Sequence, residues 1–161
     1  MAMKKVAILY SKYSPTIDAI KYQLKDTDIT CFTEAPSNTD DYDLVLLINY
    51  NGSFSGNALR CHHSLLPAFR TDTPIKDAML EGVKVTGITI YNTSNDKIIT
   101  QYPVFIKDMH YDELKQELDY IEQTIYPLVA EKVLLNQTFD INKLVSNGCS
   151  GNCGGCSGCK H

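Results

Sequence analysis

Leu59-Arg60-Cys61-His62-His63-Ser64-Leu65-Leu66-Pro67-Ala68-Phe69-Arg70 joins a short lead-in strand to a proline-containing turn. Two adjacent histidines stand at the junction. A catalytic imidazole suits the end of a strand with a rigid turn behind it. Taken alone, a His-His pair reads as two loop residues without consequence, so the flanking sequence has to decide. Upstream, Leu44-Val45-Leu46-Leu47-Ile48-Asn49 is the strongest strand signal in the chain, a continuous apolar run of the kind buried in a parallel sheet. Residues Tyr50 to Asn57 follow as a loop with two glycines, at the strand end where α/β proteins place their sites. Ala58 to His62 is the next strand. Cys61 adjoins His62, but neighbours in an extended strand point to opposite faces, so the pair does not form a Cys-His nucleophile.

Working outward, residues 4–10 read as a buried strand. Ser14 caps a helix that starts at Pro15 and shows an apolar face of Ile17, Ile20 and Leu24. A weaker strand covers 28–33, and Glu34 to Asp43 is a polar loop. Downstream, Thr73 caps a second helix that starts at Pro74 and stops at Gly82. Residues 83–91 and 97–106 read as a strand pair around the polar turn Asn92 to Asp96, with Gly87 as a bulge or a close approach. Leu114, Leu118, Ile121, Ile125 and Leu128 form the apolar stripe of a long helix over 111–135, with a kink expected at Pro127. The β-α-β opening predicts an α/β domain with a mostly parallel sheet and flanking helices.

The chain has 161 residues, enough for one domain with a sizeable core. Its net charge of -4 argues against a general nucleic-acid surface, because phosphate binding needs a basic patch. No apolar run reaches the length of a membrane span, and the expected location is cytoplasmic. The first βα turn, Ser11 to Pro15, contains no glycine, so a dinucleotide cradle of the G-x-G-x-x-G type is absent.

His62-x-Ser64-Leu65-Leu66-Pro67-x-Phe69-Arg70, followed by Pro74-Ile75, Ala78 and Gly82 to Ile90, resembles the folate-dependent formyltransferases. Ile98-Ile99-x-Gln101 and Ile125-Tyr126-Pro127 look like the same family's later segments. The resemblance implies a Rossmann-like formyltransferase fold over residues 1–135. It also implies 10-formyltetrahydrofolate as the formyl donor and a small-molecule amine as the acceptor. An Asn, a His and an Asp carry the family's chemistry. The His falls on His62 and the Asn on Arg60, which is a departure. The Asp belongs to the loop after Tyr91, where Asp96 stands in a shortened, glycine-free turn. By the same resemblance Asn51, Ser53, Ser64 and Leu66 are the candidate substrate and cofactor contacts. His63 replaces the family's proline and is expected as an exposed turn residue. The N-terminal half is shorter than the family's by several tens of residues.

After a linker over 136–148 comes a tail over 149–161 with Cys149, Cys153, Cys156 and Cys159 in C-x3-C-x2-C-x2-C order. Glycines between the cysteines let the backbone wrap a small centre. In a reducing compartment, four clustered thiols point to a Zn site or an iron–sulfur cluster before a disulfide framework. A redox-active tail and a tail that docks on a protein partner remain alternatives. Two functions therefore stand side by side. One is a formyl-transferring enzyme centred on His62, Arg60 and Asp96. The other is a catalytically degenerate formyltransferase fold that acts through its cysteine tail as a metal-binding, redox or partner-binding module.

Overall fold

The protein is described by a computed structural model covering residues 2–146; the candidate ligands Cys149, Cys153, Cys156 and Cys159 lie outside the described residues. The chain order is β1 (Lys5–Leu9), α1 (Pro15–Gln23), β2 (Asp28–Phe32), β3 (Leu44–Leu47), β4 (Leu59–His62), α2 (Pro74–Glu81), β5 (Val85–Asn92), β6 (Ile98–Phe105), α3 (Tyr111–Leu134) and α4 (Ile141–Ser146). The strands form one sheet in the order β2-β1-β3-β4-β5-β6. The first four are parallel, and β5 runs antiparallel to both of its neighbours. This is the expected α/β architecture with a mostly parallel, mixed sheet.

Period-2 alternation divides the strands between two unlike faces. Val6, Ile8, Leu46, Leu59, Ile88 and Ile90 point to one face. They are buried there with Ile17 and Ile20 of α1, Ile75 of α2 and the apolar stripe of α3. Ala7, Leu9, Val45 and Leu47 point the other way. Among the described residues no helix covers them; Phe32, Tyr42, Tyr50 and Phe54 close that side from a strand end and two loops. Loops in place of helices leave this second face open enough to hold a site.

Local chemistry accounts for the boundaries. Ser14 Oγ accepts the Thr16 N–H at the start of α1. β3 stops at Leu47, and Asn49 turns the chain with φ 50°. Gly82 ends α2 in the left-handed region, with φ 69°. Thr73 does not cap α2 with its side chain; its hydroxyl bonds the Asp77 carboxylate instead, at 3.2 Å. Gly87 is a close approach and not a bulge. A Cβ there would lie 2.1 Å from the Tyr102 carbonyl oxygen, and the register shift falls at Ile90/Tyr91. Pro127 sits inside an unbroken α3. Leu128 is only partly buried, and the stripe continues through Val129 and Ala130. The segment expected as a bare linker carries α4, and Phe139 and Ile141 pack on the main core.

Candidate functional site

The site grows from β4. Leu59 and Cys61 face the helices, so Arg60 and His62 face the open side. Register places Arg60 beside Leu47 of β3 and Tyr91 of β5, and His62 beside Thr89. The turn after β4 is riveted to β5 and β6 by polar bonds. Ser64 is fully buried and its hydroxyl donates to the Ala68 carbonyl at 2.7 Å. Thr89 Oγ1 donates to the Ser64 carbonyl and accepts from the Leu66 N–H. Gln101 Nε2 donates to both the Leu66 carbonyl and Thr89 Oγ1. The Ser64 and Thr89 hydroxyls and the Gln101 amide nitrogen all have partners here, and such a linked network is rigid.

The knot fixes two residues over the open face. Phe69, with φ 51°, turns its carbonyl back onto His62 Nε2 at 3.0 Å. Arg70 then reaches across the face. Its Nη2 donates to Asp96 Oδ1 at 3.0 Å, and its guanidinium lies 5.5 Å from the Tyr91 ring centroid. Asp96 belongs to the β5–β6 turn. Thr93 pins that turn to the start of β4 through its N–H to Ala58 O and its hydroxyl to Gly56 O.

Electrostatics define the state of His62. Burial lowers its pKa most, and the charges of His63, Arg70 and Arg60 lower it further, against the opposing pull of the Phe69 carbonyl. The imidazole is therefore neutral at neutral pH. A carbonyl can only accept, so Nε2 carries the proton and Nδ1 is left as the basic nitrogen.

The predicted residues fall into distinct positions. His62 and Arg60 share one face, close enough for the guanidinium to act on the imidazole. Asp96 is held by Arg70, and the hydrogen bond of His62 goes to Phe69 rather than to a carboxylate. Ser64 and Leu66 belong to the knot beneath the site. The Asn51 N–H is bonded to Ser11 Oγ. Ser53 lines a separate open cleft of about 380 Å³ between the 35–40 and 53–55 loops, and His62 is not among its lining residues. Arg70, Tyr91 and the Phe69 carbonyl were not picked out from the sequence as site groups. Arg70 carried the one readable signal, as the last residue of the quoted motif.

His63 departs from expectation. It is not an exposed turn residue: its side chain is only 19% exposed and its Nε2 lies 3.4 Å from Glu122 Oε2 on α3. Burial acts on it most strongly and pulls the pKa down. The Glu122 hydrogen bond and the charges of Glu122 and Asp119 together outweigh burial and leave it raised.

The formyl transferase family matches residues 42–130, more than half of the chain and all of β3 to β6. A phosphoribosylglycinamide formyltransferase of Mycobacterium tuberculosis is 38% identical over 68 residues. That stretch is 40% of this chain and 32% of the mycobacterial protein, so the match spans about a third of the relative's length. Among solved structures, the phosphoribosylglycinamide formyltransferase of Bacillus halodurans aligns with a TM-score of 0.69 at 23% identity, over 85% of this chain and 100% of that one. A formyltetrahydrofolate deformylase of Pseudomonas syringae aligns with a TM-score of 0.68 at 18% identity, over 84% of this chain and 62% of that one. At these identities the structural likeness shows the fold.

Proposed function

We propose that this protein transfers a formyl group, because the chain belongs to the formyl transferase family. The donor in this reading is 10-formyltetrahydrofolate and the acceptor a small-molecule amine. The observation that carries it is the geometry of His62: its Nε2 is held by the Phe69 carbonyl, which leaves Nδ1 as the basic nitrogen, and Arg60 shares its strand face, which no described helix covers.

The chemistry asks little more of the residues. The amine nitrogen attacks the formyl carbon, a C–N bond forms and the carbonyl oxygen becomes an oxyanion. Arg60 donates N–H groups to that oxyanion in place of the family's Asn amide. His62 takes the proton from the attacking nitrogen and returns it to the folate nitrogen as the second C–N bond breaks. Asp96, held by Arg70, supplies the carboxylate that balances the imidazolium. Asn51 and Ser53 contact the substrates from the loop after β3, and Ser64 and Leu66 serve the site by holding the turn. In this reading residues 1–135 form the formyltransferase-like domain, 136–148 lie against it through Phe139 and Ile141 and lead on, and 149–161 form the cysteine-rich tail.

The experiment is calorimetry with a 10-formyltetrahydrofolate analogue, paired with a turnover assay using phosphoribosylglycinamide as the first amine. The expected result is binding by both the parent chain and His62→Ala, with turnover lost only in the latter. No binding at millimolar analogue overturns the proposal.

A second reading has an observation of its own. Arg60 stands where the family has Asn, and Asp96 is engaged by Arg70. These favour a fold that has lost the chemistry and acts through its tail, with Cys149, Cys153, Cys156 and Cys159 holding Zn or an iron–sulfur cluster or docking a protein partner. Anaerobically purified chain then carries Zn, or Fe with sulfide, that disappears when the four cysteines are changed to serine. A metal-free chain with an unaltered spectrum counts against it.

A further inference from the structure

The face of β4 turned away from the candidate site carries a second group of chemically active side chains. Cys61 and His63 alternate with His62 along the chain and meet Glu122 of α3. The sulfur, an imidazole nitrogen and a carboxylate oxygen of these three all lie within 4.8 Å of one another. Glu122 is 8% exposed and stands among Leu118, Ile121, Ile125 and Tyr126, where a carboxylate is costly unless it has partners. His63 Nε2 is 3.4 Å from Glu122 Oε2 and 3.9 Å from Asp119 Oδ1.

We propose that Cys61, His63 and Glu122 form a binding site for a divalent transition-metal ion, Zn²⁺ foremost, independent of the cysteine tail and of the formyl-transfer reading. The donor set selects the ion: one thiolate and one imidazole suit Zn²⁺ and exclude Mg²⁺ or Ca²⁺ as natural occupants. The spacing fits as well. Two ligand atoms, each about 2.1 Å from a tetrahedral metal, lie about 3.4 Å apart. His63 and Glu122 already hold that separation. The sulfur lies within 4.8 Å of both, and loading draws it to the Zn–S distance of about 2.3 Å.

Asp119 is engaged by Lys115 at 2.7 Å, so the fourth position goes to water, which enters from the partly exposed His63 and Asp119 side. On loading, an S–metal bond replaces the Cys61 S–H bond and the proton leaves to solvent. The hydrogen bond between His63 and Glu122 gives way to two bonds to the ion. No redox step is involved.

The test uses the full-length chain with all four tail cysteines changed to serine (C149S, C153S, C156S, C159S), titrated with Zn²⁺ and with Co²⁺. The expected result is one ion per chain and, with Co²⁺, a thiolate-to-metal charge-transfer band in the near ultraviolet with strong tetrahedral visible bands. Changing an outer-shell partner costs about 10–100-fold in affinity, so Cys61→Ser and Glu122→Gln are expected to lose at least that much. Cys31→Ser keeps the band. Circular dichroism checks that each variant is folded. Absence of the band in the tail-substituted chain overturns the proposal without reference to any cluster variant. So does a band that survives in Cys61→Ser.

Discussion

Arg70 Nη2 and Asp96 Oδ1 lie 3.0 Å apart, and this bond links the end of the turn after β4 to the β5–β6 turn across the open face of the sheet, in addition to the Thr89 and Gln101 bonds beneath it. Both side chains are more than half exposed, so solvent screening leaves the pair little to contribute to folding. Asp96→Asn is expected to change the unfolding free energy by less than about 1 kcal/mol. Formyl transfer is expected to fall by about 100-fold or more, the scale of loss when a group that stabilises charge developing in the transition state is removed. Chemical denaturation and the turnover assay on the same preparation check both halves. Unchanged turnover makes Asp96 a bystander.

Arg60 is the departure that weighs on His62. Its charge is one of several that hold the imidazole pKa down, after burial and the charges of His63 and Arg70. Arg60→Asn removes that charge and, in the proposed reading, supplies an amide donor in its place. The His62 pKa is expected to rise, read by an NMR pH titration of its ring protons. Formyl transfer is expected to increase by up to about 100-fold, the worth of a well-placed oxyanion donor. An unmoved His62 titration shows that the guanidinium points away from the ring.

The two adjacent histidines are expected to act on stability in opposite senses. His63 has a raised pKa in the folded state, so its contribution is full below the unfolded value of about 6.5 and is lost as pH climbs through the folded value. His62 has a lowered pKa, so the unfolded chain takes up its proton first and stability drops as pH falls below about 6.5. Urea unfolding from about pH 5 to pH 8, with a chelator present, measures both limbs. His63→Gln should flatten the alkaline limb and His62→Gln the acid limb. If both variants alter the same limb, the assignment of opposite environments fails.

Tyr126 is fully buried on α3, and its hydroxyl meets the Leu59 carbonyl at 2.8 Å and the Leu47 carbonyl at 3.2 Å. Burial holds its phenol far above the ordinary range, so it stays a donor. Tyr126→Phe leaves two buried carbonyls without this donor and is expected to cost about 1–3 kcal/mol. A lowered urea midpoint with an unchanged denaturant slope identifies a loss of stability without a change in the surface exposed on unfolding.

What the sequence made legible was whatever repeats locally. Continuous apolar runs marked β1 and β3, proline and glycine bracketed α2, and the Ser64-Leu65-Leu66-Pro67 motif marked the turn after β4. What stayed hidden depends on residues far apart in the chain. Arg70 meets Asp96 across 26 positions, and Thr89 and Gln101 reach Leu66 of the turn across 23 and 35 positions. His63 was misjudged because its partner lies on α3. The trace was a charged Glu122 within an otherwise apolar stripe, which period-3.6 counting passes over. α4 escaped because six residues of mixed polarity carry too little periodicity to stand out.

β3 and β4 share only two registered positions, Leu46 with Leu59 and Leu47 with Arg60. β1 and β2 share five, and β5 and β6 share seven. Mechanically, the sheet is two plates joined by a narrow weld. One plate holds the parallel strands β2, β1 and β3, and the other holds β4 to β6. α3 packs across both, and the Tyr126 hydroxyl bonds to each side of the weld like a clamp. Partial opening along such a line needs far less energy than unfolding either plate, so amide exchange at Leu59 and Arg60 should outpace that within β1 and β5. Arg60 stands on the weld and His62 two residues beyond it. The distance between the imidazole and whatever the loop after β3 holds is thus set by a joint rather than by a continuous wall.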